Sequence, residues 1–577
     1  HILIRNGGND NDCDWKGRVR DAITQKILIS NGLYIDAQDY QPAHVFFNGQ
    51  YIGMLNIREP NNKINGVANY GYDDDLMDAF EYSNGYFQKE GTRNAYDRMV
   101  SLSANADNDD VYDEMRSLID MDAYVNFMAA TTYIGSTDCI LNDNNIKGYR
   151  ELPDGKFHFT LHDQDFGWGF DDAVQRYDGQ YHNQFLTLYN NLKTNQSFCR
   201  QFVDSYCVIA GSIYTPERIN HIADSICALV APALAWENRN PVSSYNEQRD
   251  NMLSEHSRKA RINALRSAYN LGRGMSITLS ANIPQASMMV NTQTVPDAKF
   301  SGTLFAPVVL TAAGPSNFEF IGWAQGSESN IVTTNHQLKL SEDFDATYIA
   351  VFKPILANNS TAPVRINEVS ADNDIYVNEL VKKDDWIEIY NTTDKPFDVA
   401  GCFLTDNVSK PKKYQIMPVA GTNTVIPPNG TLLVWASKRT AQSQLHASFK
   451  LDNADGCTLM LTAADESWND TFEYNTHTSK ESYGRYPDGA NEIYRFSHPT
   501  INHRNQLTTY DFSLDELTFS GAGTSEVSVD FDRKVESVAY YDLAGLPVAA
   551  TVPGIYIRLT RFTDGTAVSE KVLVSRN

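Results

Sequence analysis

No CxxC pair occurs in these 577 residues, which argues against a zinc ribbon. There is no GxxxxGK[ST] loop, no GxSxG and no HExxH. The phosphate-binding loop of the P-loop proteins, the nucleophile-elbow hydrolases and the zinc proteases are therefore poor candidates. No apolar run approaches the roughly 20 residues that span a bilayer, so no transmembrane segment is expected. Basic charge is in deficit: 48 Lys and Arg against 72 Asp and Glu leave a net −24. A phosphate backbone needs a basic surface, so nucleic acid is not an expected partner. The acidic surface serves solubility first, and it also suits a basic protein partner. Low-complexity tracts and close repeats are missing. The chain opens at His1 with ILIRN, already strand-like and without Met or a signal peptide, so its natural start is expected upstream. Cysteine is sparse, with seven in all, and the odd count leaves at least one thiol free or intermolecular. Cys402 and Cys457 fall in one predicted domain, where two buried thiols are favoured over a bridge.

What is present predicts several domains. At about 100–200 residues each, three to five are expected. Hydrophobic residues at 42% supply packed cores, and 31 Tyr with 27 Phe suit a β-rich protein. Residues 1–275 mix helix and strand. Residues 19–32 space Ala22, Ile23, Ile27 and Leu28 as a helix, with Asn31-Gly32 as its C-cap. Residues 43–59 read as a hairpin turning at Asn48-Gly49. Asp120 is placed to cap a helix carrying Tyr124, Phe127, Met128 and Ile134 inward. KFHFTLHDQDFG then runs as a strand into an acidic turn, and helices follow over 183–210, 216–235 and 243–271. From about 275 the pattern alternates in strand fashion: a small all-β module (276–355), a polar linker, a sandwich-like run (364–505) and a last β module (506–577). The fold class is multidomain α+β, with all-β modules after a mixed N-terminal domain.

The chemistry concentrates at LHDQDFGWGF (161–170) and, about twenty residues earlier, TDCILNDNNIKGYR (137–150). Asp163 and Asp165 are two carboxylates at a strand end, where both reach one cation as the strand frays into a turn. With Asp138, Asn144 and Asn145 they form the donor set that holds Mg²⁺ and orients a hydroxyl in phosphoryl transfer. Composition alone gives about nine acidic-x-acidic triplets, so the strand-turn context and the upstream partners carry the reading. Asp165-Phe166-Gly167 also spells the metal-holding triplet of ordinary kinases. His162 is read as an orienting or packed histidine. Arg5-Asn6-Gly7-Gly8 is weak as a phosphate loop, with Arg5 as its candidate phosphate contact. In the sandwich region Trp386 and Trp435 read as core, and Asp384, Asp385, Glu388 and Asp406 as solvated strand-face or turn residues.

RNGGND…RDA (5–22), VFFNGQYIGMLNIRE (45–59), NNIKGYR (144–150) and HDQDFGWGF (162–170) together resemble the spore-coat-protein-H (CotH) kinase family over about residues 1–270. INEV, DDWIEIYN, LTDN, PPNGTLLVWAS, LHASFKL and ESYGRYPDG resemble a lamin-tail domain over about 364–505. The tail is similar to C-terminal β modules of secreted proteins of Gram-negative bacteria. The first resemblance implies an atypical protein-kinase-like domain that uses ATP with Mg²⁺ or Mn²⁺ to phosphorylate Ser in secreted or coat proteins. By position, Asp138 takes the catalytic-loop Asp's place, and Asn144, Asn145, Asp163 and Asp165 the metal ligands'. Asn144 and Asn145 follow Asp138 by six and seven residues, where family members often have four and five, so Asp143 stays open as an alternative base. Glu59 resembles the Glu that pairs a nucleotide-contacting cation, and Lys89 is the nearest candidate for a phosphate lysine. The second resemblance implies an immunoglobulin-like sandwich that binds or positions. Together they imply an extracytoplasmic kinase, secreted or attached to the cell surface, with a Ser/Thr protein substrate. The alternative is a non-catalytic kinase-like scaffold in a surface-structural protein.

Overall fold

The computed structural model describes residues 3–12, 17–30, 32–177, 183–315, 318–341, 344–354, 362–439, 443–508 and 511–513, with strands at 535–541, 547–548, 554–562 and 567–574. Two compact units divide at 521/522.

The N-terminal part is built on two small antiparallel sheets and a helical body. Leu3–Arg5, Gln50–Arg58 and Tyr40–Phe47 form the first sheet, in that order. Asn48 and Gly49 both take positive φ (51° and 79°), the requirement of the two-residue turn that pairs Phe47 with Gln50. The second sheet runs Tyr86–Glu90, Met77–Ser83, Asn144–Glu151, His158–Leu161. The helix Met121–Ile134 packs on strand His158–Leu161 of the second sheet. Asp120 caps it, accepting from the Ala123 N–H at 3.1 Å, and left-handed Gly135 ends it. Every residue of this helix is buried, because strands, further helices and loops cover it on all sides. The helix Arg20–Ile29 starts at Val19, which carries no capping oxygen. Distant Asp10 takes that role, accepting from the Val19 and Arg20 N–H groups at 2.7 and 3.0 Å.

Helices Gln184–Leu192, Gln196–Val208, Pro216–Trp236, Pro241–Leu253 and Glu255–Ala268 complete the body. Pro216–Trp236 has the length and apolar content of a membrane span, with mean hydropathy 1.3, where the sequence shows no unbroken apolar run. It is amphipathic: Ile219, Ile222, Ile226, Val230 and Leu234 pack into the core, and Leu229 and Trp236 face outward.

Residues 275–354 form a five-stranded and a four-stranded sheet. They share one hydrophobic core with the helical body. Phe300 lies on Gly211, where an added Cβ would come within 2.8 Å of the ring. The sandwich pairs a seven-stranded sheet, from Val364–Ser370 to Phe512–Ser513, with a four-stranded one. Ile366, Ile387, Leu404, Leu459 and Phe472 fill the space between.

Two sequence expectations change here. Trp386 and Trp435 are buried, but as cross-strand partners in a separate cluster with Ile501, Tyr376 and Leu433, apart from the main sandwich core. Asp384, Asp385 and Glu388 are not solvated: they are 3%, 5% and 0% exposed. The segment after strand Ile493–Phe496 folds over that sheet and supplies donors, including the Asn502 N–H to Glu388 at 2.7 Å and the Thr500 N–H to Glu368 at 2.8 Å. Asp406 alone of the four is partly exposed, paired with Lys413 at 2.5 Å. Cys139, Cys199, Cys207, Cys227, Cys402 and Cys457 are free thiols; Cys13 lies outside the described residues, as does Asn31 of the expected cap.

The sandwich sits on the N-terminal body through named contacts. His498 Nε2 meets Asp120 at 3.2 Å and Tyr34, and Lys480 pairs with Glu151 over the Tyr72 ring. The Tyr486 hydroxyl meets Ser287 of the middle module at 2.8 Å. In the second unit, residues 535–541, 547–548, 554–562 and 567–574 form an antiparallel sheet.

Candidate active site

The strands Asn144–Glu151 and His158–Leu161 pair antiparallel, with Ile146 opposite Leu161. The pairing ends there, which leaves Asn144 and Asn145 on one strand and His162 and Asp163 just beyond the other at the same end of the sheet. The two segments singled out by sequence thus meet at one end of the second sheet.

On the upstream side, Asn144 Nδ2 reaches both Asp138 carboxylate oxygens at 3.3 Å. Asn145 Nδ2 donates to the Asp138 carboxylate at 3.2 Å and to its carbonyl at 3.0 Å. The interval between them is taken up by a 3-10 turn, Ile140–Asn142, and by left-handed Asp143 and Asn145, each at φ 55°. The Asn amides converge on Asp138 and not on Asp143. Asp143 instead acts electrostatically on Tyr82, and burial raises its own pKa. Each Asn uses its amide nitrogen on Asp138, so its oxygen is the end available to a cation.

On the downstream side, Asp163 sits at φ 50° and forms an ion pair with Arg5 Nη2. Asp163 Oδ1 is buried, and Arg5 is its charged partner. Asp165 is 1% exposed and accepts the Asn9 N–H at 3.0 Å. The chain between Arg5 and Asn9 turns tightly at Gly7 and Gly8, with φ 98° and 60°. A Cβ on Gly8 would stand 2.7 Å from Arg5 Nη2, 3.1 Å from Asp165 Oδ2 and 3.4 Å from Asp163 Oδ1. Those three charged atoms therefore surround a single point that only glycine leaves open.

Asp21 ties this arrangement to the body. Its carboxylate lies 3.5 Å from Arg5 and 3.1 Å from Arg58, and accepts the Gln25 amide at 2.6 Å and the Gln164 N–H at 2.8 Å. Burial opposes the Asp21 charge, but the two arginines and these donors hold its pKa down at about 2. Asp165 has the opposite balance: burial, with Asp163 and Asp21 nearby, pushes it up to about 8. Asp163 is raised by burial as well, with Arg5 opposing and the charges of Asp21 and Asp138 adding to it. That Asp138 acts on Asp163 marks the two halves of the site as neighbours. Burial, then Lys147 and Arg5, lower His162 to about 3, so it is a neutral packed group with Gln38 at 3.4 Å.

Two expected residues lie outside this group. Lys89 is half exposed on the edge strand and pairs with Glu81 at 2.5 Å. Glu59 accepts the Asp39 N–H at 3.1 Å, and its pKa is raised, chiefly by burial. The cations that act on the acidic turn include Arg5, Arg58 through Asp21, Arg20 toward Asp165 and Lys147 beside His162. Asp21 and Asn9 belong to the site without having been given a role from sequence; the segments RNGGND and RDA that contain them carried only the family resemblance.

Among the described residues no three His, Cys, Asp or Glu side chains gather as a metal centre. The donors present are two carboxylates and two amide oxygens. Such hard oxygen donors suit Mg²⁺ or Mn²⁺, which bind through one or two carboxylates and complete the shell with substrate phosphates. A cavity lined by Tyr34, Asp122, Asn126, Gln293 and Gln506 lies elsewhere and contains none of these groups.

Residues 2–261 match the family model described as CotH kinase protein, and residues 357–476 match the Lamin Tail Domain. The chain carries a CotH kinase domain followed by a lamin tail domain of immunoglobulin-like fold, in the order the motifs implied. No curated protein matches the chain.

Proposed function

We propose that the chain is a protein kinase acting outside the cytoplasm, which transfers the γ-phosphate of ATP to Ser or Thr of secreted or surface proteins. The observation that carries this reading is the meeting of Asp138, Asn144 and Asn145 with the Asp163–Asp165 turn across one strand pair. Asp163, Asp165 and the two Asn oxygens would hold Mg²⁺ or Mn²⁺, which neutralises charge on the phosphates. Asp138 is the group for the attacking hydroxyl, accepting its proton or orienting it, and the Asn amides fix the carboxylate for that task. Arg5 is the nearest cation for phosphate oxygens. Burial of the turn strengthens each of these charge interactions. The net charge of −24 favours a basic acceptor surface.

The test is transfer of ³²P from labelled ATP, with Mn²⁺, by the full chain to itself and to a basic Ser-rich protein. Asp138→Asn and Asp163→Asn are each expected to lower incorporation by about 10²-fold or more, the scale of losing a positioned acid–base group. A second reading, a scaffold without chemistry, is favoured by one observation: Asp165 is covered by the Arg5–Asn9 turn. Incorporation that is equal in wild type and both variants would support it.

A further inference from the structure

Arg5 does more at this site than wait for a phosphate. Its guanidinium is already in contact with a carboxylate that the proposed function assigns to a metal ion. We propose that Arg5 is a built-in counter-cation: it occupies the positive position at Asp163, and a divalent metal enters only as Arg5 gives up that contact. The inference rests on the kinase reading, because it concerns the same two carboxylates.

Three observations carry it. First, Arg5 Nη2, Asp163 Oδ1 and Asp165 Oδ2 all lie within 3.4 Å of the point where a Gly8 Cβ would be, so guanidinium and metal compete for the same oxygens. Second, the Arg5–Asp163 contact is a pair between opposite charges, and its positive side is one that another cation can supply. Third, Arg5 has a second anchor. Asp21 lies 3.5 Å from it and keeps Arg58 at 3.1 Å, so Asp21 is not left unpaired when Arg5 shifts. A divalent ion brings two positive charges to these carboxylates where the guanidinium it displaces brings one. The freed guanidinium then lies beside whatever anion accompanies the metal, which makes metal and phosphate uptake mutually dependent.

The experiment is Mn²⁺ binding to the full chain without nucleotide, read by loss of the free-ion paramagnetic resonance signal, together with melting in EDTA. Arg5→Gln is expected to bind Mn²⁺ about tenfold more tightly than wild type, because a competing positive charge is gone. It is also expected to melt lower than wild type in EDTA and to recover with Mn²⁺. Arg5→Lys keeps the charge and is expected to bind Mn²⁺ as weakly as wild type. If Arg5→Gln fails to fold, Arg5→Lys still decides: a tenfold gain there would overturn the proposal, since charge would not be the controlling property. Equal Mn²⁺ affinity of Arg5→Gln and wild type also overturns it. The kinase reading survives that outcome provided wild type binds Mn²⁺ with ATP and Asp165→Asn does not. If wild type binds no Mn²⁺ even with ATP, both the reading and this inference fall.

Discussion

At the scale of single residues the site depends on a few side chains whose neighbours decide their chemistry. Asp21 and Asp165 are both buried aspartates a short distance apart, yet one is held at about 2 and the other raised to about 8. The difference is the pair of arginines on Asp21 and the pair of carboxylates facing Asp165. Asp21→Asn removes the bridge between Arg5 and Arg58 and takes from buried Arg58 its carboxylate partner. Breaking a buried pair costs about 3–5 kcal/mol, so a marked loss in urea-unfolding free energy is expected, and a change under about 1 kcal/mol would contradict the bridge. Gly8→Ala places a side chain at φ 60° and within 2.7 Å of Arg5 Nη2. Left-handed backbone alone costs about 1–2 kcal/mol for a residue with a Cβ, and the crowding adds displacement of Arg5. The same unfolding measurement checks it, and an unchanged midpoint would show that the turn is not tightly held. Sequence marked Asp163 and Asp165 because they stand at the end of an apolar strand. It could not mark Asp21, a helix residue whose importance comes from what Arg5 and Arg58 bring to it across the fold.

At the scale of elements, the legible features were those whose cause is local. The Asn48-Gly49 hairpin follows from two residues that tolerate positive φ, and the Asp120 cap from an oxygen one residue before a helix. Asp120→Ala is expected to cost about 1 kcal/mol from the lost cap alone. Its contacts to Tyr34 and His498 enlarge that cost, and a variant melting like wild type would contradict the cap. The site's convergence was less legible, because an interval of six from Asp138 to Asn144 suggests a longer loop than the 3-10 turn and left-handed Asp143 allow. Least legible were the buried carboxylates of the sandwich. Strands such as Asp385–Asn391 are covered on both faces, so the polar residues of an apparent solvent face lie under the segment that follows Phe496. Glu368 is the measurable case. Burial pushes it from 4.5 up to about 7, against the donors Ser482 and Thr500 and with Asp488 adding to the rise. Its folded pKa lies above its unfolded one. The stabilisation from its proton is therefore full below about pH 4.5 and is lost as pH rises through 7. Melting is expected to fall between pH 5 and pH 8, and Glu368→Gln is expected to flatten that fall. A slope unchanged in the variant would assign it to other groups.

At the scale of the whole molecule, the lamin tail domain is seated on the kinase domain by His498, Lys480 and the Tyr486–Ser287 contact. His498 touches Asp120, which caps the helix leading toward Asp138, so the sandwich braces the element that carries the site. A His498→Ala, Lys480→Ala double variant is expected to lower the melting of the kinase domain by a few degrees, on the scale of ~1 kcal/mol in a large domain. Separate melting of the two domains in wild type would contradict the bracing. The central claim, that the acidic turn holds a divalent ion together with a nucleotide, has one direct test. The full chain is melted with ATP alone and with ATP plus Mn²⁺, beside an Asp163→Asn, Asp165→Asn double variant. With metal and nucleotide at 100 times the dissociation constant, wild type should gain about 2.7 kcal/mol and the variant nothing. Equal stabilisation of both proteins, or of neither, would contradict the account.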